Sequence, residues 1–176
     1  VNPPFVHNLG VGSYDEQLSM TFRVTAITDT TVTFEPRLPF DFSPYSPKTV
    51  PFAILPLTGV GLEDFTIDLQ GSSAVGIDYQ QMWGSWIENV EIKNAGGKVL
   101  TLYTVLHGEV RHCTLRDSLN GGPDTEGLDF YRDVAWTLIE DNIVYDAGGI
   151  FIGDWQGGDV GKVIAYNFAY ATSSSD

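Results

Sequence analysis

Eight residues in the last third of this 176-residue chain form its strongest constellation for chemistry: the acids Asp124, Glu126, Asp129, Asp133, Asp154 and Asp159, with Arg132 and Trp155 among them. Two carboxylates held a few ångströms apart can act as acid and base across a glycosidic bond, one of them kept protonated by burial or by its neighbour. Asp129 and Asp154 are the candidates for that pair, with Glu126 or Asp124 as a modulator. His107 adds a candidate base or substrate contact. Tyr103, Tyr131 and Trp155 offer rigid apolar faces on which sugar rings can pack. Arg132, with Arg111 and Arg116, could steady a carboxylated sugar or a leaving oxygen. The same oxygens would also suit calcium. However, Asp124-x-Glu126-x-x-Asp129 is not a recognised calcium loop, so hydrolysis without a metal is the preferred chemistry. The plainer role for acids in a glycine-rich segment is to cap turns and face water.

Bringing such residues together requires a scaffold, and the chain repeats itself. Leu62-Glu-Asp-Phe-Thr-Ile67, Ile87-Glu-Asn-Val-Glu-Ile92, Val110-Arg-His-Cys-Thr-Leu115, Ile139-Glu-Asp-Asn-Ile-Val-Tyr145 and Ile164-Ala-Tyr-Asn-Phe-Ala-Tyr170 echo one another. Marked by Asp64, Asn89, His112, Asn142 and Asn167, the steps are 25, 23, 30 and 25 residues. That period fits one coil of a parallel β-helix. The long step carries an insertion, Asn120-Gly-Gly-Pro-Asp-Thr-Glu126, rich in turn formers that can bulge from a corner.

Each coil holds further strands: Val75–Tyr79, Val99–Tyr103, Gly127–Tyr131 and Gly149–Gly153 alternate in period two. Ile77, Leu100, Leu128 and Ile150 are expected to stack inward. Asp78, Thr101 and Asp129 then form an outward row, with Tyr103 and Tyr131 beside it. Chirality favours a right-handed crossover between parallel strands, so the expected fold is all-β, a right-handed parallel β-helix. A leucine-rich repeat lacks its spacing here, and a β-sandwich would not explain the match between coils.

Residues 1–51 contain seven of the nine prolines and no copy of the repeat. Met20–Ile27 and Thr31–Glu35 read as a β-hairpin in this entry segment, and 52–176 as the coils. The last unit carries no amphipathic cover, so the chain is expected to be part of a longer helix, with self-association through open β-helix ends as an alternative.

A formal charge of −14, from 9 basic and 23 acidic side chains, argues against nucleic acid or an anionic membrane as partner. No apolar run is long enough to span a bilayer. The single cysteine, Cys113, aligns with Phe65, Val90, Ile143 and Phe168 and is expected to be a core residue, which does not suit a catalytic thiol. His112 stands at the turn marker and reads as a corner residue. Tyr79 and Trp86 read as core or edge-shielding aromatics.

The segments Gly61–Asp68, Trp86–Ile92, Glu109–Asp117 and Leu138–Val144 resemble coils of the pectate-lyase-like superfamily, and the hairpin resembles the segment that precedes the helix in many of its members. The resemblance implies an extracellular or cell-surface protein that acts on, or holds, a polysaccharide or oligosaccharide. The superfamily spans many activities. The motif series of polygalacturonases is absent, Leu106-His-Gly108 being only a fragment of it, and no calcium and arginine set of a pectate lyase can be carried over. A glycoside hydrolase is therefore the first expectation, a calcium-assisted lyase on uronic-acid polymers the second, and a non-catalytic structural or adhesive β-helix the third.

Overall fold

The computed structural model describes residues 21–39, 41, 56–119, 126–147 and 160–170, and the backbone of 152–155. Alternation of side chains about a short polar loop builds the first two strands, β1 (Arg23–Ile27) and β2 (Val32–Glu35), into an antiparallel hairpin. Thr28 N donates to Thr31 O at 2.9 Å to close its turn.

The coils follow, every one of their strands parallel to its neighbours. One sheet contains β3 (Leu57–Thr58), β5 (Ile77–Trp83), β7 (Leu100–Leu106), β10 (Leu128–Tyr131) and β13 (Ile152–Trp155), stacked in that order. The other begins with two long strands, β4 (Gly61–Asp68) and β6 (Trp86–Lys93). It then divides at a corner: β6 pairs with both β8 (Glu109–Arg111) and β9 (Thr114–Arg116). Below these lie β11 (Leu138–Glu140) and β12 (Ile143–Tyr145), then β14 (Val163–Ala165) and β15 (Phe168–Tyr170). The result is a parallel β-solenoid with three strand segments per coil, and no helix occurs among the described residues.

Its core is a set of columns running along the axis. Ile87, Val110 and Ile139 form one, and Ile92, Leu115 and Val144 another, each at most 2% exposed. Tyr79, Leu102 and Phe130 form a third. Each fully buried aliphatic side chain contributes roughly 1.5–3 kcal/mol of transfer free energy. Leu128 has Leu100 on one side and Ile152 on the other. Ile152 takes the position in this row expected for Ile150, which lies outside the described residues.

The corner of the second sheet corrects the repeat alignment by one residue. Asp64, Asn89, His112, Asp141 and Tyr166 all have φ between 53° and 59° and form the outward corner column. Asn142 and Asn167 are not their equivalents. Asn142 stands opposite Cys113, whose N–H donates to Asn142 Oδ1 at 2.9 Å, so the inward column runs Phe65, Val90, Cys113, Asn142, Asn167. Cys113 is buried as expected, whereas Ile143, taken as its equivalent, is 45% exposed and pairs with Thr114. The reason is chemical: Asp and Asn both tolerate left-handed backbone, so Asp141-Asn142 can be aligned on either residue by sequence alone.

Candidate functional site

The predicted acidic cluster is only partly assembled as expected. Asp129 does occupy the outward row, opposite Thr101 and Gly153, yet it is fully buried, as is Glu126. Lys98, two residues before the start of β7, reaches across to both: its Nζ lies 2.7 Å from Asp129 Oδ2 and 3.5 Å from Glu126 Oε2. Burial alone would lower the Lys98 ammonium, but the two carboxylates outweigh it and hold the group above the usual lysine range. Asp129 is thus engaged in a buried ion pair, not displayed to solvent. Asp154 stands at the register position of Phe130, one residue off the row of Asp129. The register offset and the ion pair do not give an acid and base facing one substrate across that row. Asp124 and Asp159 lie outside the described residues.

Tyr103 and Tyr131 do form the expected row, their rings stacked at 5.3 Å with 25° between planes. The rings therefore spend a face on each other. Arg132, exposed at the end of β10, donates from Nη1 to the Tyr103 hydroxyl at 2.9 Å, and its guanidinium lies 5.7 Å from both ring centres. Trp155 continues this row in register.

His107 belongs to another edge. It sits in left-handed backbone (φ 52°) between the rings of Trp83, at 5.0 Å, and Trp136, at 5.7 Å. The hairpin packs against this stack, with Phe22 6.5 Å from Trp136, Arg23 5.9 Å from Trp83, and Thr21 Oγ1 donating to Asp133 Oδ2 at 2.9 Å.

Next to His107, the outward face of β4, β6 and β8 carries a groove of about 350 Å³, within the size range of small-ligand sites. Gly84, Ser85, Glu63, Trp86, Glu88, His107, Glu109 and Arg111 line it. Trp86 leans over Gly61, where a Cβ would lie 2.3 Å from the indole. Its Nε1 donates to Glu63. Arg111 Nε reaches Glu109 at 3.0 Å and its Nη2 reaches Glu88 at 3.5 Å. His112 Nδ1 approaches Glu88 from the corner at 3.5 Å.

Glu63 and Glu88 occupy facing register positions on neighbouring coils, a backbone separation of about 4.8 Å. Parallel side chains projecting from such positions can bring two carboxyl groups near the 5–5.5 Å of a retaining glycosidase. The sequence hides this set because its members come from three coils and no linear motif joins them. The one available signal was outward alternation of Glu63 and Glu88 between Leu62 and Phe65, and between Ile87 and Val90.

Among the described residues, no three His, Cys, Asp or Glu side chains gather as a metal site. No family model, curated protein or solved structure matches the chain.

Proposed function

We propose that this β-solenoid holds a polysaccharide or oligosaccharide chain in the groove beside Trp86. One observation carries the reading: Trp86, His107 and the carboxylates of Glu63, Glu88 and Glu109 line a single groove across three consecutive coils. An aromatic ring flanked by acceptors and by an arginine fork is the combination that sugar recognition uses, with the ring taking the apolar face and the polar groups taking hydroxyls. The pectate-lyase-like resemblance of the coils, and the extracellular setting it implies, agree with this reading. Arg132 with Tyr103 and Tyr131, on the other sheet, offers a separate contact for an acidic sugar. The test is affinity electrophoresis through gels cast with a neutral glucan or with a polyuronate. Retardation by one of them, lost in Trp86→Ala and kept in Tyr166→Ala, is the expected result. Unretarded migration of folded protein in every gel would count against it.

A second reading, hydrolysis, is favoured by the facing positions of Glu63 and Glu88. On this reading Glu88→Gln abolishes reducing-end release from the retarding glycan while retardation persists. Absence of reducing ends from the wild-type protein leaves the holding role alone.

A further inference from the structure

The arrangement of Lys98, Asp129 and Glu126 has a chemical outcome beyond an ion pair. We infer that Lys98 and Asp129 condense to an amide, a covalent cross-link between consecutive coils with Glu126 as the proton carrier.

The placement follows from the stacking of β7 and β10. Leu100 pairs with Leu128 and Thr101 with Asp129, so Lys98, two residues before Leu100, lies beside Glu126, two residues before Leu128. Val99 N–H donating to Glu126 O at 3.2 Å fixes that neighbourhood through the backbone. Lys98 therefore has one carboxylate beside it and a second reached by leaning along the strand. Its Nζ is 2.7 Å from Asp129 Oδ2. A nitrogen in contact with one carboxylate oxygen is close to the roughly 3–3.5 Å from which a nucleophile attacks the intervening carbon.

Both acids are fully buried, whereas the Lys98 side chain is 24% exposed. The charged pair is the resting state, and the reaction runs through its minor neutral form, amine with carboxylic acid, which burial of both acids makes less costly to reach than it is in water. Lys98 Nζ also lies 5.8 Å from the Tyr131 ring centre, which further confines its approach. The position of Glu126, 3.5 Å from the same nitrogen, supplies what a lone Lys–Asp pair lacks: a second carboxylate able to accept a proton at one moment and return it at the next.

The step balances without a co-reactant. The Lys98 ammonium gives a proton to Glu126, which passes it to an oxygen of Asp129. The neutral amine attacks Asp129 Cγ and the C–N bond forms. A second proton travels from nitrogen through Glu126 to the departing hydroxyl, the C–O bond breaks, and water leaves. Ammonium and carboxylate become amide and water, and Glu126 ends as it began. The product joins positions 31 residues apart and cannot be undone by unfolding.

The experiment is mass spectrometry of the purified chain, intact and after proteolysis, following incubation of the folded protein. The expected result is a mass lower than the sequence by one water, with a branched peptide joining Lys98 to Asp129. In Glu126→Gln the full sequence mass returns. In Asp129→Asn the loss becomes one ammonia, because the leaving group changes. A wild-type chain at full mass overturns the proposal. So does a water loss that persists in Lys98→Arg or maps within one linear peptide, since an aspartate can also lose water by cyclising onto its own backbone. The wild-type mass and peptide map decide the question even where a variant fails to fold.

Discussion

Asn142 and Asn167 occupy the same inward position on consecutive coils, and Asn142 Nδ2 donates to Asn167 Oδ1 at 2.9 Å. The pair is a polar seam beside the apolar columns of the core. Asn142 Nδ2 also donates to Val110 O, and its Oδ1 accepts from Cys113 N–H, both at 2.9 Å. Asn167 Nδ2 donates to Ile139 O and Ala165 O. Each amide thus stitches its own coil to its neighbours and satisfies backbone groups that the corner leaves without ladder partners.

Asn142→Ala orphans the Cys113 N–H and the Val110 carbonyl, at about 1–3 kcal/mol for each buried group. Asn142→Asp keeps the acceptor for Cys113 but turns the donor into an oxygen facing two others. Urea unfolding should therefore show both variants well below wild type in midpoint. A midpoint unchanged in Asn142→Asp would mean that the amide donor contributes nothing.

The turn before β7 gives a sharper contrast, because it separates two adjacent glycines. A Cβ on Gly96 would lie 2.2 Å from Ser72 O, a backbone atom that cannot rotate away, whereas one on Gly97 would meet nothing nearer than 3.8 Å. Gly96→Ala is expected to cost at least about 1–3 kcal/mol through overpacking, and Gly97→Ala to stay within about 0.5 kcal/mol of wild type. Thermal unfolding of the two variants side by side checks this; equal midpoints would refute the close backbone approach.

Acid sensitivity is expected from Glu91. The Arg116 Nε donates to Glu91 Oε1 at 2.8 Å across two coils, and this hydrogen bond, against the opposing effect of burial, holds the carboxyl below its ordinary range. A depressed folded-state pKa stabilises the fold above the ordinary glutamate value, and that contribution is lost as pH falls through the depressed one. The pair is partly exposed, so its effect at neutral pH is under about 1 kcal/mol. The stability difference between wild type and Glu91→Gln should therefore be small at neutral pH and vanish in acid. A gap that widens on acidification would contradict the assignment.

Solenoid periodicity was legible because inward residues such as Ile87, Val110 and Ile139 repeat at coil spacing and are flanked by polar neighbours. The one-residue slip at Asn142 was not legible, since an asparagine serves equally as a left-handed corner and as an inward amide ladder, and only strand pairing distinguishes these uses. Outward alternation correctly placed Asp129 on the outer row, but outward is not the same as exposed: Asp129 is fully buried, and Lys98 and Glu126 gather on it from positions three residues off its register. Trp86 was readable as an aromatic and not as part of a groove, because its partners Glu63, Glu109 and Arg111 arrive from other coils.

The corner column has a consequence for how this surface can vary. Asp64, Asn89, His112, Asp141 and Tyr166 share one backbone shape, although a residue other than glycine in that conformation costs roughly 1–2 kcal/mol. The stacked coils, not the corner residues, therefore impose the geometry, and the side chains there can be anionic, amide, imidazole or phenol. This ridge is a line along which charge and hydrogen-bonding character can be rewritten one coil at a time while the cross-section of the solenoid stays the same.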